Sequence, residues 1–379
     1  MKRTRLFFTS LKLGLVGFGG GMAVLSLLHR EFVVKKQCCD EECFLNAAAL
    51  SQSLPGAISF NAMTYLGLNM GGFWGATLAG WGFMLPSFVM MILLSIAYDH
   101  FSKIATASQM LHGMIAGVVG LILAVAWELA GKASTRCKLG WILVSVAFVA
   151  SLLGVGVVEI IFGCGIVGLF LCGASHGNGG AGESCSTAPA LVGLKSLAPV
   201  LLGATGTLAV LSALGLFFIR VGLVTVGGGF VMIPMIQHEV VDLHHWLTAK
   251  EFADGMALGQ LTPGPVVITA TFVGYRTAGL LGAWVSSTAV FLPSYILTLV
   301  FGYSLDRWKS NPGVAAFLSG VQPAVVGLLG AAAITLGRAG LHSWAALFIS
   351  ALCALVIIRF KISPVWIVLG SALLGLLIV

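Results

Sequence analysis

The 379-residue chain has very few charged residues: Asp, Glu, Lys and Arg make up 9% of it, whereas 58% of its residues are hydrophobic. Water-soluble globular domains usually carry about 25% charged residues, so the composition excludes that class. The mean hydropathy is +1.03, and the polar stretches are too short to hold a soluble domain. The sequence therefore predicts a multi-pass membrane protein in contact with the lipid bilayer, with its chemistry inside the membrane or at its faces.

Other sequence signals are also missing. The eight cysteines are scattered and do not describe a disulfide framework. No flavin or nicotinamide fingerprint follows a strand, which argues against an enzyme and against a cofactor. The N-terminus carries Lys2, Arg3 and Arg5 but no small-residue cleavage site follows, so we interpret it as retained. We predict no nucleic-acid partner.

One run of cysteines stands apart from the rest. Cys38, Cys39 and Cys43 lie in the sequence Cys-Cys-Asp-Glu-Glu-Cys. Thiolates suit a soft metal, but no second Cys or His pair stands at zinc spacing. The favoured interpretation is a polar loop that contains thiols, with no bound metal.

The chain repeats itself after 208 residues. The matching motifs are Gly19-Gly20-Gly21 with Gly227-Gly228-Gly229, Gln52 with Gln260, Pro55-Gly56 with Pro263-Gly264 and, after a one-residue slip, Leu85-Pro86-Ser87 with Leu292-Pro293-Ser294. Two copies of one membrane unit, each broken by glycine and proline at the same depth, are typical of a transporter whose site lies between its halves.

The repeat divides the chain into residues 1–173, a Gly- and Ser-rich linker at 174–208, and residues 209–379. Each half contains six apolar segments, near 6–28, 44–70, 73–98, 105–130, 139–154 and 156–173, and near 209–236, 252–277, 280–304, 312–336, 342–358 and 362–379. A thirteenth, short crossing at 191–207 would invert the second half relative to the first. The predicted fold class is an all-α polytopic membrane protein with two homologous six-segment halves, an inverted repeat with broken helices.

Cationic residues predict the orientation, because Lys and Arg concentrate on the cytoplasmic side. If every segment crosses and the N-terminus is inside, the inner face holds Lys2, Arg3, Arg5, Lys132, Arg136, Lys138, Arg307, Lys309, Arg359 and Lys361. The outer face then holds Arg30, Lys35, Lys36, Lys103 and Arg338. Lys35 and Lys36 conflict with the rule in this arrangement.

The two triple-glycine motifs predict helix breaks. Glycine in a helix costs about 1 kcal/mol relative to alanine and leaves the backbone free to turn. In hydrocarbon such a break is tolerated only where protein or water covers it. Close helix packing is the alternative. The duplication favours breaks that line a cavity, at Gly19, Gly20 and Gly21 and at Gly227, Gly228 and Gly229.

The proline motifs predict a second pair of breaks. Proline lacks an amide hydrogen and clashes with the preceding turn, so each helix should stop before Pro55 or Pro263 and restart beyond it. A restarting half-helix offers free amides and a positive dipole end to an anion. A simple proline kink is the alternative. Polar side chains beside the breaks favour a binding role: Ser51, Gln52, Ser53, Gln260 and Thr262, with Gly56 and Gly264.

Charged residues within the apolar segments complete the candidate site. Lys12 and Arg220 occupy equivalent places before the glycines, where each faces a pocket or snorkels to an interface. Glu31 and Glu239 match across the repeat and are candidates for proton coupling, with Asp254 as a weaker one. Neutralising Arg30 or capping a helix explains the glutamates equally well.

These repeated blocks resemble the chromate ion transporter family in its long form with two homologous halves. The resemblance rests on residues 12–21 with 220–229, on 51–57 with 259–265, and on the two Leu-Pro-Ser motifs. It implies export of chromate across the bacterial inner membrane, with sulfate as a similar oxyanion, and halves of opposite orientation. The chain departs from the family pattern at Gly21 and Ala57, where proline is usual, and at Cys38, which stands opposite Trp246.

The resulting hypothesis is a secondary transporter. It binds a tetrahedral dianion between its halves and moves it across the membrane by alternating access. An anion channel would use the same amides and cations, as would a carrier for another small anion. A chromate reductase that uses the cysteines is disfavoured, because the thiols lie on one loop of one half. A homodimer is left open.

Overall fold

We describe the protein from a computed structural model that covers residues 2–102, 104–134, 140–173, 206–225, 229, 232–303, 312–341, 343–360 and 362–378. Every regular element within these ranges is helical. Among the described residues, five helical stretches are long and apolar enough to cross a membrane: Ile58–Phe101, Thr106–Gly131, Thr207–Val224, Val266–Gly302 and Ser319–Arg338. The all-α, multi-pass class predicted from composition is confirmed.

The two halves contain the same helices in the same order. The first half consists of α1 (Arg3–Val16), α2 (Gly20–His29), α3 (Glu41–Ser53), α4 (Ile58–Phe101), α5 (Ala105–Ser134), α6 (Gly140–Leu152) and α7 (Val157–Gly173). The second consists of α8 (Thr207–Val224), α9 (Met232–Gln237), α10 (Ala249–Leu261), α11 (Thr269–Gly302), α12 (Pro312–Gly340), α13 (Trp344–Phe360) and α14 (Pro364–Ile378). π-Helical turns extend α2 through Arg30–Lys35 and α9 through His238–Leu243, and a 3₁₀ turn at Val266–Ile268 leads into α11.

Helices α1 and α2 form a hairpin that returns to the face where it began. The Lys36 ammonium, just after the π turn, donates a hydrogen bond of 2.5 Å to the Thr9 hydroxyl of α1. In one continuous helix these residues would be about 40 Å apart. The chain therefore reverses direction between α1 and α2, and we call the face that carries Arg5 and Lys36 the amino-terminal face.

Helices α3 and α4 form a second hairpin from the same face. The Asn69 amide reaches the Cys43 thiol at 3.7 Å, although the two residues are 26 positions apart. Helix α4 then reverses at Gly71 and Gly72, where Gly72 has φ 63° and ψ −152°. It thus consists of a short arm (residues 58–70) and a long arm (residues 73–101) that lie against each other.

The second half repeats this arrangement. In α11 the reversal falls at Ala278 and Gly279, with φ 63° and ψ −151° at the glycine. The Thr271 and Ser287 hydroxyls, on opposite sides of the reversal, are 2.7 Å apart. The short arm of α11 (residues 269–277) lies beside α10, and its long arm (residues 280–302) crosses the protein.

The halves are inverted relative to each other, as the sequence predicts. The Thr77 hydroxyl lies 2.6 Å from the Tyr295 hydroxyl, and the rings of Phe88 and Trp284 have centroids 4.5 Å apart. The residue order is opposite in the two helices, so the long arms of α4 and α11 run antiparallel. Hairpins of the first half therefore enter from the amino-terminal face, and those of the second half from the opposite face.

The halves also exchange their last helices. Gly113 of α5 lies against Ser371 of α14, and Gly120 of α5 against Ser350 of α13. In the same way α12 lies against α6 and α7, through Gly320 beside Cys164 and Gly327 beside Val144. Glycine at these positions permits a close backbone approach. The exchange binds the two halves into one intertwined structure.

The re-entrant hairpins correct one part of the predicted topology. Counting every segment as a crossing placed Arg30, Lys35 and Lys36 on the outer face; this is wrong, because the arm that carries them returns to the amino-terminal face. Lys35 and Lys36 now join Arg3 and Arg5 on one face, which removes the conflict with the charge rule. The expected crossing at 191–207 lies outside the described residues except for 206 and 207.

Candidate functional site

The loops at the tips of the hairpins meet at the centre of the protein and hydrogen-bond across the repeat. The Gly56 amide donates to the Thr225 carbonyl at 2.5 Å, and the Gly264 amide donates to the Gly17 carbonyl at 2.8 Å. Both pairs join a proline-glycine loop of one half to the end of the first helix of the other. The chain breaks before Pro55, before Pro263 and between α1 and α2, as predicted, and the loops at these breaks meet. The break predicted at Gly227 and Gly228 lies outside the described residues.

Backbone geometry explains why these loops contain glycine. Gly56 and Gly264 have φ values of 104° and 97°, and Gly19 and Gly20 have 98° and 83°. L-residues with a side chain rarely adopt such values. A Cβ atom on Gly56 would also overlap Ser294, and one on Gly264 would overlap Ser87. The repeated Leu-Pro-Ser motif of each half is thus the surface on which the loop of the other half rests.

Three helical starts at this centre have no side-chain cap. Helix α2 begins after Gly19, α4 after Ala57 and the 3₁₀ turn after Pro265, and none of these residues makes a side-chain capping hydrogen bond. The first amides of a helix point outward and carry the positive end of its dipole. The central loops therefore present amide donors that suit an anion.

Buried polar atoms surround the same loops. The Asn61 carbonyl oxygen, the Ser87 hydroxyl, the Gln260 amide nitrogen and the Ser363 hydroxyl are buried and make no hydrogen bond within the described part of the chain. Asn61 also donates to the Pro55 carbonyl at 3.0 Å, and Ser363 lies beside Gly19. Such groups are usually paired when buried, so four of them around one centre mark a polar site.

The polar residues beside the two proline breaks are not equally accessible. Gln52 and Ser53 are exposed and donate to the Ala48 and Ala49 carbonyls. Their counterparts Gln260 and Thr262 are 5% and 4% exposed. Helix α3 ends at Ser53 and α10 at Leu261, as the prolines predict.

The remaining glycine and cation candidates have different surroundings. Gly20 and Gly21 open α2, with Gly21 against Ile58, and Gly229 lies against Val267. Gly227 and Gly228 lie outside the described residues. Lys12 is exposed on α1, whereas Arg220 is half-buried on α8.

The paired glutamates lie on the π turns rather than at the central loops. Glu31 is 3.2 Å from the Lys36 ammonium and 3.7 Å from that of Lys35. Burial alone would raise the pKa of Glu31, but Lys36, Lys35 and Lys12 together hold that pKa below its ordinary value. Glu239 instead faces His244 at 3.5 Å. Glu31 thus pairs with lysines, whereas the sequence had suggested Arg30 as the charge that it neutralises.

Asp254 is fully buried and bridges the halves. Its carboxylate accepts a hydrogen bond of 2.8 Å from the Tyr98 hydroxyl of the α4 long arm, and its second oxygen makes none within the described residues. Nearby, Arg276 pairs with both Asp99 and Glu251. Sequence reasoning assigned no role to Tyr98, because residues 156 positions apart give no local signal.

Ser87, Ser294 and Asn61 were also missed as site residues. The duplication of Leu-Pro-Ser was visible in the sequence, but only the fold places Ser294 behind Gly56 and Ser87 behind Gly264. For Asn61 the matching residue in the second half is Thr269. Asn61 is therefore not duplicated, and the repeat did not mark it as a site residue.

The fold and the convergent loops define a multi-pass membrane protein built as an inverted repeat around a central polar site. The chromate transporter family matches residues 4–169 and 212–376, one match for each half. The chain belongs to this family. No solved structure matches it.

Three similar proteins extend over most of the chain. A chromate transport protein of Cupriavidus metallidurans is 32% identical over 371 residues, which cover 97% of this chain and 90% of that protein. A probable chromate transport protein of Synechococcus elongatus is 32% identical over 88% of this chain and 84% of its own length. A chromate transport protein of Pseudomonas aeruginosa is 31% identical over 100% of this chain and 93% of its own length.

Proposed function

We propose that the protein is a secondary transporter that exports chromate, or a related tetrahedral oxyanion such as sulfate, across the bacterial inner membrane. Support comes from the family and from the names of the relatives. The observation that carries the proposal is the convergence of uncapped helix starts and buried, unpaired polar atoms on the hydrogen-bonded central loops.

The binding site proposed for the dianion consists of these loops and the residues beside them. Its members are Lys12, Gly19, Gly20, Gly21, Gln52, Ser53, Pro55, Gly56, Arg220, Gly227, Gly228, Gly229, Gln260, Thr262, Pro263 and Gly264, to which we add Asn61, Ser87 and Ser294. Backbone amides and hydroxyls would replace the hydration shell, and Arg220 would balance charge. Amide donors suit an oxyanion because they bind it without a full opposite charge at every contact.

Alternating access follows from the inverted halves in this proposal. The tips of the first half come from one face and those of the second half from the other, so a rocking motion exposes the centre to each face in turn. Unequal exposure of Gln52 and Gln260 supports an asymmetric state. Export is favoured electrically, because an inside-negative potential assists outward movement by about 2.3 kcal/mol per charge per 100 mV.

Substitution of one arginine tests the proposal. Arg220→Ala should abolish chromate resistance in cells without changing the amount of protein in the membrane. Arg338→Ala is the matched control, because it removes the same charge from the exposed last turn of α12. Inverted vesicles that contain the wild type should take up labelled chromate, and sulfate should compete. Full resistance with Arg220→Ala would remove Arg220 from the site, and absence of uptake by the wild type would refute chromate export.

A further inference from the structure

The loop that precedes α3 gathers three metal-binding side chains. The thiol sulfurs of Cys39 and Cys43 and a carboxylate oxygen of Asp40 all lie within 4.8 Å of one another. We call these three residues the thiol cluster. Asp40 caps α3 by accepting the Cys43 amide at 2.8 Å, which fixes Cys43 one helical turn beyond the cap. The Cys38 amide bonds to the Phe32 carbonyl and holds the preceding end of the loop.

Helix capping alone does not explain these cysteines. The repeat places Leu247, Thr248 and Glu251 at the positions that correspond to the thiol cluster. There Thr248 and Glu251 form a capping box at the start of α10. The second half thus begins the equivalent helix without sulfur. Of these two equivalent positions, only the one in the first half therefore has two thiols beside a carboxylate.

The chemistry of the three groups suits a soft divalent cation. Zinc binds thiolates at about 2.3 Å and carboxylates at about 2.0–2.2 Å in tetrahedral sites, so its sulfur ligands lie roughly 3.8 Å apart. The ligand atoms of the thiol cluster lie within 4.8 Å of one another, a limit about 1 Å longer than this spacing. Thiolate ligands favour zinc and cadmium over magnesium or calcium. A fourth position would remain for water or another ligand.

The ionisable groups of the cluster are complementary to a cation. Two thiols and a carboxylate, each of which becomes anionic on ionisation, stand together there. A bound cation supplies the positive charge that lets the thiols ionise, as happens in metal sites.

We propose that Cys39, Asp40 and Cys43 form a binding site for a soft divalent cation, zinc or cadmium, at the amino-terminal face. On the proposed orientation this face lies in the cytoplasm, where thiols stay reduced and cysteine clusters more often bind metals than form disulfides. The bound ion would tie the loop after the first hairpin to the first turn of α3. The metal site is independent of the proposed transport function.

Cadmium titration of the purified full-length protein, reduced and metal-free in detergent, tests the site. Wild type should bind one equivalent with a thiolate-to-metal charge-transfer absorption, and zinc should displace the cadmium. Cys39→Ser and Cys43→Ser should each remove this absorption. Because proton release accompanies binding, the apparent affinity should fall as the pH is lowered.

Asp40→Asn keeps the test valid if a cysteine variant fails to fold. Asparagine caps a helix as well as aspartate but lacks the anionic oxygen. Loss of groups that only support a metal ligand costs about 10- to 100-fold in affinity, so loss of the ligand itself should cost at least about tenfold. Cys353→Ala, which removes a buried thiol of α13, should leave binding unchanged. Absence of binding by the wild type, or equal binding by wild type, Cys39→Ser and Cys43→Ser, would overturn the proposal.

Discussion

The Gly56 amide hydrogen-bonds to the Thr225 carbonyl, and the symmetry-related Gly264 amide bonds to the Gly17 carbonyl. Each bond joins the tip of a hairpin from one face to the tip of a hairpin from the other. The contact is made only by backbone atoms, so it places no demand on the side chains at Thr225 and Gly17. It does require that the loops approach closely, which explains the glycines that carry the donors.

Gly264→Ala should destabilise the protein, because it forces a side chain into the left-handed region and against the Ser87 hydroxyl. The two effects should cost about 2–5 kcal/mol together. Gly163→Ala is the control, since that helical glycine has open space around it, and alanine is the better helix former. Thermal unfolding in detergent measures both.

Ser87→Ala should recover part of the loss in the double variant with Gly264→Ala, since the nearest overlapping atom is the Ser87 hydroxyl. Strain in the backbone would persist. A double-mutant cycle with no coupling between these positions would contradict the packing described for the central loops.

Asp254→Asn should impair transport more than Tyr98→Phe does. Phenylalanine removes one hydrogen bond to Asp254 and leaves a buried carboxylate with fewer partners, at a cost of about 1–3 kcal/mol in stability. Asparagine retains the size and the bond but cannot exchange a proton. Uptake of labelled chromate over a range of pH would measure the difference. Unchanged pH dependence in Asp254→Asn would exclude a coupling role for this carboxylate.

Exchanging the charges at Arg276 and Asp99 should restore part of the stability that either single charge reversal removes. Arg276→Asp would place a third carboxylate beside Asp99 of the opposite half and Glu251 of the same half, both of which Arg276 now neutralises. The arginine is 25% exposed, so we expect a loss of about 1 kcal/mol rather than that of a fully buried pair. The double variant Arg276→Asp with Asp99→Arg should unfold at a higher temperature than either single variant.

Acidification should remove the stabilising contribution of Glu31. Its folded-state pKa lies below the ordinary value because of Lys36, Lys35 and Lys12, although burial opposes them. The contribution is therefore complete above the unfolded-state pKa of about 4.3 and disappears as the pH falls through the lowered folded-state pKa. The difference in unfolding temperature between wild type and Glu31→Gln should shrink below that pH. Glu42→Gln, at an exposed position on α3, is the matched control for loss of one carboxylate.

The hairpin topology predicts that Lys36 is reached from the same side of the membrane as Arg5. In a background in which all eight native cysteines are serine, Lys36→Cys and Arg5→Cys should react with an impermeant maleimide from one side only, the same side for both. Arg338→Cys should react from the other. Labelling of Lys36→Cys and Arg5→Cys from different sides would restore the crossing that the sequence suggested.

Much of the architecture is visible in the sequence because glycine and proline act locally. The breaks before Pro55 and Pro263, the duplication and the inversion are all correct. The re-entrant path was missed, since two 13-residue helices joined by a loop have the same composition as one bent crossing helix. Long-range contacts distinguish the two paths, among them the Lys36–Thr9 and Asn69–Cys43 hydrogen bonds and the approach of Gly67 to Gly75 and of Gly274 to Gly282. Such pairs are recognised only once the fold is known.

Part of the candidate site could likewise be predicted from the sequence, and part could not. Backbone-based features follow from residue type, so the loops at Gly56 and Gly264 were found. Side chains brought from distant segments were not, as with Tyr98 beside Asp254. The cysteine run was visible, but the approach of the Cys39 and Cys43 sulfurs to Asp40 depends on how the π turn delivers the chain to α3.

The exchange of terminal helices constrains how the chain is made. Helices α6 and α7 leave the ribosome well before α12, the helix on which they come to rest, has been synthesised. Membrane insertion of the first half must therefore leave an apolar hairpin without its final neighbour until more than 130 further residues have been translated. Chaperones or lipid would have to shield that hairpin in the interval, and a chain truncated before residue 312 would be a substrate for membrane quality control.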